Sequence, residues 1–187
     1  MNRDKNGAII YHRESFQADG LHRLCQEAAK MMPLNRVVEV GSFMGEAAEV
    51  FCKYFSEVYC VDTWEPASLN VTLSETREPI PIEDIEESFD IRQRASKGKI
   101  CKVIEPSPWA AARFPINFFD MAYIDAAHDY DSVVVDLRVW KVKTRGLMAG
   151  HDYCETGEVE RAVRAELGMP HWLFVDSSWM VWIGDWG

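Results

Sequence analysis

The sequence predicts an α/β fold: a doubly wound, mostly parallel sheet with helices on both faces, three layers in all. Three observations lead there. Short apolar runs, the first two rich in valine, alternate with helical patterns along most of the chain. Several of these runs stop at a glycine or an aspartate, as buried parallel strands do where they meet a loop. The length, 187 residues with 48% hydrophobic positions, suits one domain with room for a sizeable core.

Each element follows from its own pattern. Residues 16–32 carry Leu21, Leu24, Cys25, Ala28 and Met32 at helical spacing, with Arg23, Gln26, Glu27 and Lys30 between them, and Pro33 stops the helix. Val37, Val38, Glu39 and Val40 form a buried strand ended by Gly41. A helix over 46–55 places Ala47, Val50, Phe51 and Tyr54 on one face, and residues 58–61 give a second strand ended by Asp62. Residues 65–99 are then longer than a loop, a helix and a loop require, and include Pro66, Pro79 and Pro81. Within them Glu83, Asp84, Glu86, Glu87 and Asp90 surround Ile85 and Phe89, which reads as a solvated acidic helix or a lid over the site.

A third strand covers 100–104, and a short helix over 108–114 has Pro108 in its first turn. A fourth strand, 118–124, ends at Asp125. A helix over 131–142 turns Val134, Leu137 and Val139 or Trp140 inward. A fifth strand, 147–149, ends at Gly150, His151 and Asp152, and a helix follows over 158–167. Residues 172–175 and 179–183 flank Asp176, Ser177 and Ser178 as an antiparallel hairpin. The whole chain is expected to be one domain, with an N-terminal helical segment over 1–35 and an insertion over 65–99.

Composition excludes several roles. Against 30 acidic residues stand 20 basic ones, a net charge of -10, which disfavours coating nucleic acid. No apolar run reaches the roughly 20 residues of a membrane span, and no secretory signal is read at the polar start, so a cytoplasmic protein is expected. The five cysteines (Cys25, Cys52, Cys60, Cys101, Cys154) are odd in number and lack CxxC spacing, which suits free thiols. The tryptophans at 172, 179, 182 and 186 suit core and interface. With Trp179 and Val181 facing opposite to Met180 and Trp182, one set is expected to be exposed and to pair with a second copy of the chain.

In a doubly wound sheet the ligand lies beyond the carboxyl ends of the strands. After the first strand, Gly41 permits a tight turn and Gly45 lets a helix begin close by, so the loop's N–H groups face a ligand. Phe43 holds the middle position where a dinucleotide fingerprint needs glycine, so a pyrophosphate is disfavoured. Asp62, at the end of the next strand, suits the paired hydroxyls of a ribose, with a turn aspartate as the plainer alternative. Asp125, His128, His151 and Asp152 gather at the same rim. The two aspartates offer hard oxygen ligands for Mg²⁺, His128 a base near neutral pH, and His151 a ligand for softer ions. Asp129, Asp131 or Asp152 could instead cap helices.

Residues 38–46, 61–64, 123–130, 136–140 and 146–153 together resemble a class I S-adenosylmethionine-dependent methyltransferase. Within that class they look like the macrocin-type sugar O-methyltransferases and the cephalosporin-pathway methyltransferase-like proteins. The resemblance spans roughly residues 36–155. It implies a Rossmann-like, seven-stranded sheet whose last strand is antiparallel. It implies that Glu39, Gly41 and Ser42 meet the methionyl part, that Asp62 takes the ribose, that Thr63 or Trp64 lies beside the adenine, and that Ser107 meets the adenine edge. Gly45 and Asp125 complete the cofactor contacts. Asp125 and Asp152 match metal-ligand positions, with His151 standing where a carboxylate is usual, and His128 matches the base. The expected reaction is methyl transfer to the hydroxyl of a small molecule, with Mg²⁺ as the candidate ion. The rival readings are a nicotinamide-dependent oxidoreductase, a non-catalytic cofactor-binding protein of the same fold and, more remotely, a metal-dependent hydrolase.

Overall fold

The computed structural model describes residues 3–11, 15–65, 80–153 and 157–184. Pro66, Pro79, Cys154 and Trp186, which enter the sequence reading, lie outside them. The centre of the sheet is β1 (Arg36–Val40), parallel to β2 (Glu57–Asp62) on one side and to β4 (Phe119–Ile124) on the other. Beyond β2 lies β3 (Ile100–Ile104), and beyond β4 lies β5 (Thr144–Gly150), both parallel. The hairpin of β6 (Trp172–Leu173) and β7 (Trp179–Trp182) closes the sheet, with β7 antiparallel to β5. The order is β3-β2-β1-β4-β5-β7-β6, the seven-stranded arrangement expected. The chain fills one side of β1 and then crosses to the other, so the strand order reverses between β1 and β4 and opens a crevice there.

Two apolar layers hold the helices. On one face α1 (Ser15–Met31), α2 (Glu46–Phe51) and α3 (Ile82–Ala95) bury Leu21, Leu24, Phe51, Ile85 and Phe89 over the sheet. On the other, α4 (Ser107–Ala112), α5 (Tyr130–Lys141) and α6 (Glu158–Leu167) bury Ala110, Val133, Leu137, Trp140, Ala162 and Val163. Each fully buried large side chain contributes about 1.5–3 kcal/mol. As expected, α5 turns Val134, Leu137 and Trp140 inward, and its N-cap is Asp129, which accepts the Ser132 N–H at 3.0 Å. None of the four described cysteines forms a disulfide.

Three expectations change. The N-terminal segment is not helical throughout. Residues 3–11 fold as a turn in which Arg3 bridges Ile9 and the Asp4 carboxylate accepts the Asn6 and Ala8 N–H groups. Ala8 and Ile9 are fully buried, and this arm is pinned by Arg92 of α3, itself 2% exposed. The Arg92 guanidinium donates to the Ile9 carbonyl at 2.8 Å and to the Met44 carbonyl at 3.0 Å, with Glu49 at 3.3 Å.

Secondly, the acidic run of α3 is only partly a solvated face. Glu86 and Asp90 both grip Lys102 of β3 at 2.7 Å, while Ile85, Ser88 and Phe89 are buried. Thirdly, the exposed set expected on β7 is absent. Trp179, Met180 and Val181 are all buried and Trp182 is half-buried, because β7 is an interior strand covered on both faces. No helix among the described residues is long and apolar enough to cross a membrane.

Candidate active site

The loop after β1 is shaped by close approach. Gly41 has φ +90°, donates to the Val61 carbonyl at 2.9 Å, and passes so near β4 that a Cβ would stand 2.1 Å from the Asp125 carbonyl oxygen. Gly45 has φ +82°, and a Cβ there would stand 2.9 Å from the Phe89 ring, so its tight neighbour is α3 rather than the strand. Between them Phe43 adopts φ +45°, a costly conformation for an aromatic residue. Its N–H donates to Asp62 Oδ2 at 2.8 Å, its carbonyl accepts the Trp64 indole N–H at 2.9 Å, and its ring meets Tyr11 edge-on at 5.0 Å.

A cavity of about 990 Å³ opens at the carboxyl ends of the strands. That is enough for a nucleoside donor and part of an acceptor. Glu39, Gly41, Ser42, Gly45, Asp62, Thr63, Ser107, Asp125, His128 and His151 all line it, so the strand-end residues named from the sequence do converge. Asp62 is held as a turn aspartate and also lines the cavity. Its oxygens accept the Phe43 and Trp64 N–H groups, as a turn aspartate would, and each keeps a second lone pair for a hydroxyl. Glu39 is 1% exposed at the cavity floor and accepts the Cys60 thiol at 3.5 Å. Burial, reinforced by the Glu39 charge, pushes that thiol well up.

Among the expected cofactor contacts, Trp64 is the exception. It does not line the cavity: φ +47° turns its ring onto Phe89, 4.6 Å away, under the Lys102 ammonium. An aromatic contact with the base from Trp64 is therefore withdrawn. The α3 helix does not line the cavity either, so the lid expected over 65–99 is not carried by its described helix.

At the β4–β5 end stand the histidines. His128 Nε2 lies 2.8 Å from Asp152 Oδ2 and 4.0 Å from Asp125 Oδ1, and His151 Nδ1 lies 3.0 Å from Asp152 Oδ1. Asp152 is buried behind them at φ +58° and caps no helix. The hydrogen bond to Asp152 raises His128 above its ordinary 6.5, helped by the Asp152 and Asp125 charges and opposed by burial. Burial also opposes the charge on His151, yet Asp152, Asp125 and Asp176 carry it up to about 9. Asp152 resists burial because both imidazoles bond to it, and it is held far below the usual carboxylate range.

The ligand atoms that converge are those of Asp125, His128 and Asp152, all within 4.8 Å of one another. His151, expected as a ligand, is outside that set and is bonded to Asp152 instead. Mg²⁺ fits these residues poorly. It requires hard oxygens and water, whereas one of the three donors is imidazole and both Asp152 oxygens already face imidazoles.

A family described as a methyltransferase domain matches residues 38–153, more than half of the chain and the stretch that holds the glycine loop, Asp62, Asp125, His128 and Asp152. The chain belongs to this methyltransferase family. No curated protein matches it. Among solved structures, a methyltransferase from Geobacter sulfurreducens superposes with a TM-score of 0.63 at 12% identity, over 94% of this chain and 82% of that one. The O-methyltransferase TomG from Streptomyces achromogenes, involved in tomaymycin synthesis and solved with S-adenosylmethionine, gives 0.61 at 13% identity, over 93% and 82%. The N-methyltransferase NodS from Bradyrhizobium japonicum gives 0.58 at 10% identity, over 91% and 97%. At such identities the likeness is one of fold. The activity class read from the sequence, an S-adenosylmethionine-dependent methyltransferase, is the class of this family, and the oxidoreductase, binding-protein and hydrolase readings give way to it.

Sequence reasoning passed over some residues of the methyltransferase's cavity. Tyr11 and Glu46 line it, the Glu46 carboxylate accepting the Tyr11 N–H at 3.1 Å. So does Asp136 of α5, 5% exposed, whose Oδ1 accepts the Ser107 hydroxyl. Burial pushes Asp136 up to about 6 against the pull of that hydrogen bond. A signal existed: a carboxylate at 136 sits in the inward stripe of 133, 137 and 140, where a charge needs a reason.

Proposed function

We propose that this methyltransferase moves the methyl group of S-adenosylmethionine to a hydroxyl oxygen of a small neutral or cationic acceptor, in the manner of the macrocin-type branch it resembles. The observation that carries the reading is the His128–Asp152 pair, 2.8 Å apart at the rim of a cavity that also contains Asp62. In neutral His128 the Nε2–H donates to Asp152, which leaves Nδ1 as the proton acceptor. The acceptor hydroxyl gives its proton to Nδ1 as its oxygen attacks the methyl carbon, and the methyl–sulfur bond breaks to leave a neutral thioether. Catalysis then rests on in-line alignment at about 3–3.5 Å and on proton removal. Asp152 is a positioning residue that fixes the imidazole and its tautomer. No step requires a metal, in keeping with the poor fit of Mg²⁺ to the donor set.

The donor side is supported by Asp62, whose spare lone pairs suit a ribose diol, and by the 2.1 Å clearance at Gly41 that keeps the loop on the strand ends. It is tested by melting the protein with S-adenosylhomocysteine and with NAD. Saturation at about 100 times Kd adds about 2.7 kcal/mol, which for a chain of this size raises Tm by roughly 5–10 °C. The shift is expected with S-adenosylhomocysteine and not with NAD; the reverse, or no shift with either, removes the donor assignment.

A further inference from the structure

Trp64 stands outside the cavity, yet its side chain holds the glycine loop from behind. The indole N–H donates to the Phe43 carbonyl at 2.9 Å, and among the described residues that carbonyl has no other donor. Both residues have a left-handed backbone, Phe43 at φ +45° and Trp64 at φ +47°. An aromatic residue holds such a conformation only where its surroundings over-determine it. Here they do. The Asp62 carboxylate accepts the N–H of Phe43 at 2.8 Å and that of Trp64 at 3.1 Å. The Trp64 ring, 5% exposed, packs on Phe89 of α3 and lies 4.6 Å from the Lys102 ammonium, which Glu86 and Asp90 of the same helix grip.

A trans peptide unit is planar, so its C=O and N–H point in opposite directions. None of the described peptide bonds is cis. Fixing the Phe43 carbonyl on Trp64 therefore turns the Met44 N–H away from Trp64. Met44 lines the cavity and is fully buried, and its N–H has no acceptor among the described residues. A buried N–H without a partner is costly, and a ligand oxygen removes that cost. The next peptide is fixed as well: Arg92 donates to the Met44 carbonyl at 3.0 Å, and the Gly45 N–H returns to the Ser42 carbonyl at 2.7 Å.

We infer that Trp64 is a positioning residue for the methyl donor. Its indole N–H sets the tilt of the Phe43–Met44 peptide, keeps the Met44 N–H available to the ligand, and so supports binding of the donor's amino-acid tail. This rests on the donor proposed above, with its sugar at Asp62 and its tail at the glycine loop. The α3 helix, which does not line the cavity, thereby contributes to donor affinity through Phe89 and the Lys102 clamp.

The test is calorimetric binding of S-adenosylhomocysteine and of 5′-methylthioadenosine to the wild type and to Trp64→Phe, well below the melting temperature of both. Methylthioadenosine keeps the nucleoside and the sulfur but lacks the tail. Phenylalanine keeps a ring on Phe89 and removes the N–H. Trp64→Phe is expected to lose about tenfold in affinity for S-adenosylhomocysteine, the scale of one buried hydrogen bond, and less than about threefold for methylthioadenosine. A second measurement needs only the wild type. By linkage, a tail that the bond supports must tighten the bond in return. Deuterium exchange of the Trp64 indole N–H, read by NMR against that of Trp140, which donates to Ser107, should slow with S-adenosylhomocysteine and not with methylthioadenosine at equal saturation. Equal losses for both ligands would mark a merely structural Trp64 and overturn the inference. So would undiminished S-adenosylhomocysteine affinity in folded Trp64→Phe, a wild type that binds both ligands equally, or an exchange ratio that answers both alike. A wild type that binds neither ligand overturns the donor reading itself, a different and distinguishable failure.

Discussion

His128 is half-exposed at 47%, with its buried partner Asp152 bonded to Nε2. A base must be neutral before it can accept a proton, and the hydrogen bond to Asp152 with the nearby carboxylates raises this imidazole above 6.5. The plot of kcat against pH should therefore rise through an acidic limb whose midpoint lies above 6.5, and His128→Ala should flatten that limb. The same substitution should lower kcat by about 10²–10⁴-fold while S-adenosylhomocysteine binds as before. Wild-type turnover in His128→Ala would remove the residue from the reaction. At this scale the sequence was legible where chemistry sits at strand ends, because topology alone gathers Asp125, His128 and Asp152. It misled at Trp64, since two positions past a strand either direction is open and a left-handed backbone turned the ring inward. It gave Asp136 no role beyond its place in the 136–140 stretch of the resemblance, since position 136 alone does not reveal that Ser107 and Trp140 close around it.

At the scale of elements, nearly every strand and helix was legible from apolar spacing, and the disagreements lie at their ends. The α2 helix stops at Phe51, and the chain reaches the buried Phe55 through a turn. The β5 strand begins at Thr144, earlier than expected, because Thr144, Arg145 and Gly146 carry little apolar signal. The arm over 3–11 was not legible at all: it is polar and aperiodic, and its shape comes from Arg92 far along the chain. Replacing Arg92 with Met would leave the Ile9 and Met44 carbonyls without their donor. A loss of about 2–4 kcal/mol is expected, read from urea denaturation, together with faster tryptic cleavage after Lys5. Stability within about 0.5 kcal/mol of the wild type would show that the pin is dispensable.

For the molecule as a whole, the acidic excess behind the net charge of -10 extends into the cavity. The described residues lining the cavity include Glu39, Glu46, Asp62, Glu105, Asp125, Asp131 and Asp136, set against His128 and His151, with no lysine or arginine. Such a field repels phosphorylated or carboxylated acceptors and draws in amines. Among hydroxylated acceptors matched in size, an amine-bearing one should show a kcat/KM at least about tenfold above its carboxylate-bearing counterpart at low salt, and the gap should shrink as salt is added. Equal rates with both would remove the electrostatic account of acceptor choice. This was only half legible in the sequence, which showed the acidic excess but not which carboxylates share a wall.

The pin at Arg92 bears on how the protein is best handled at the bench. Shortening the gene to the stretch shared with the family would keep Arg92 and Met44 but delete Ile9 and Tyr11, so the guanidinium would lose one of its two carbonyl partners and the Phe43 ring its edge-on neighbour. Expression designs should therefore keep the leading residues and place any affinity tag at the opposite terminus.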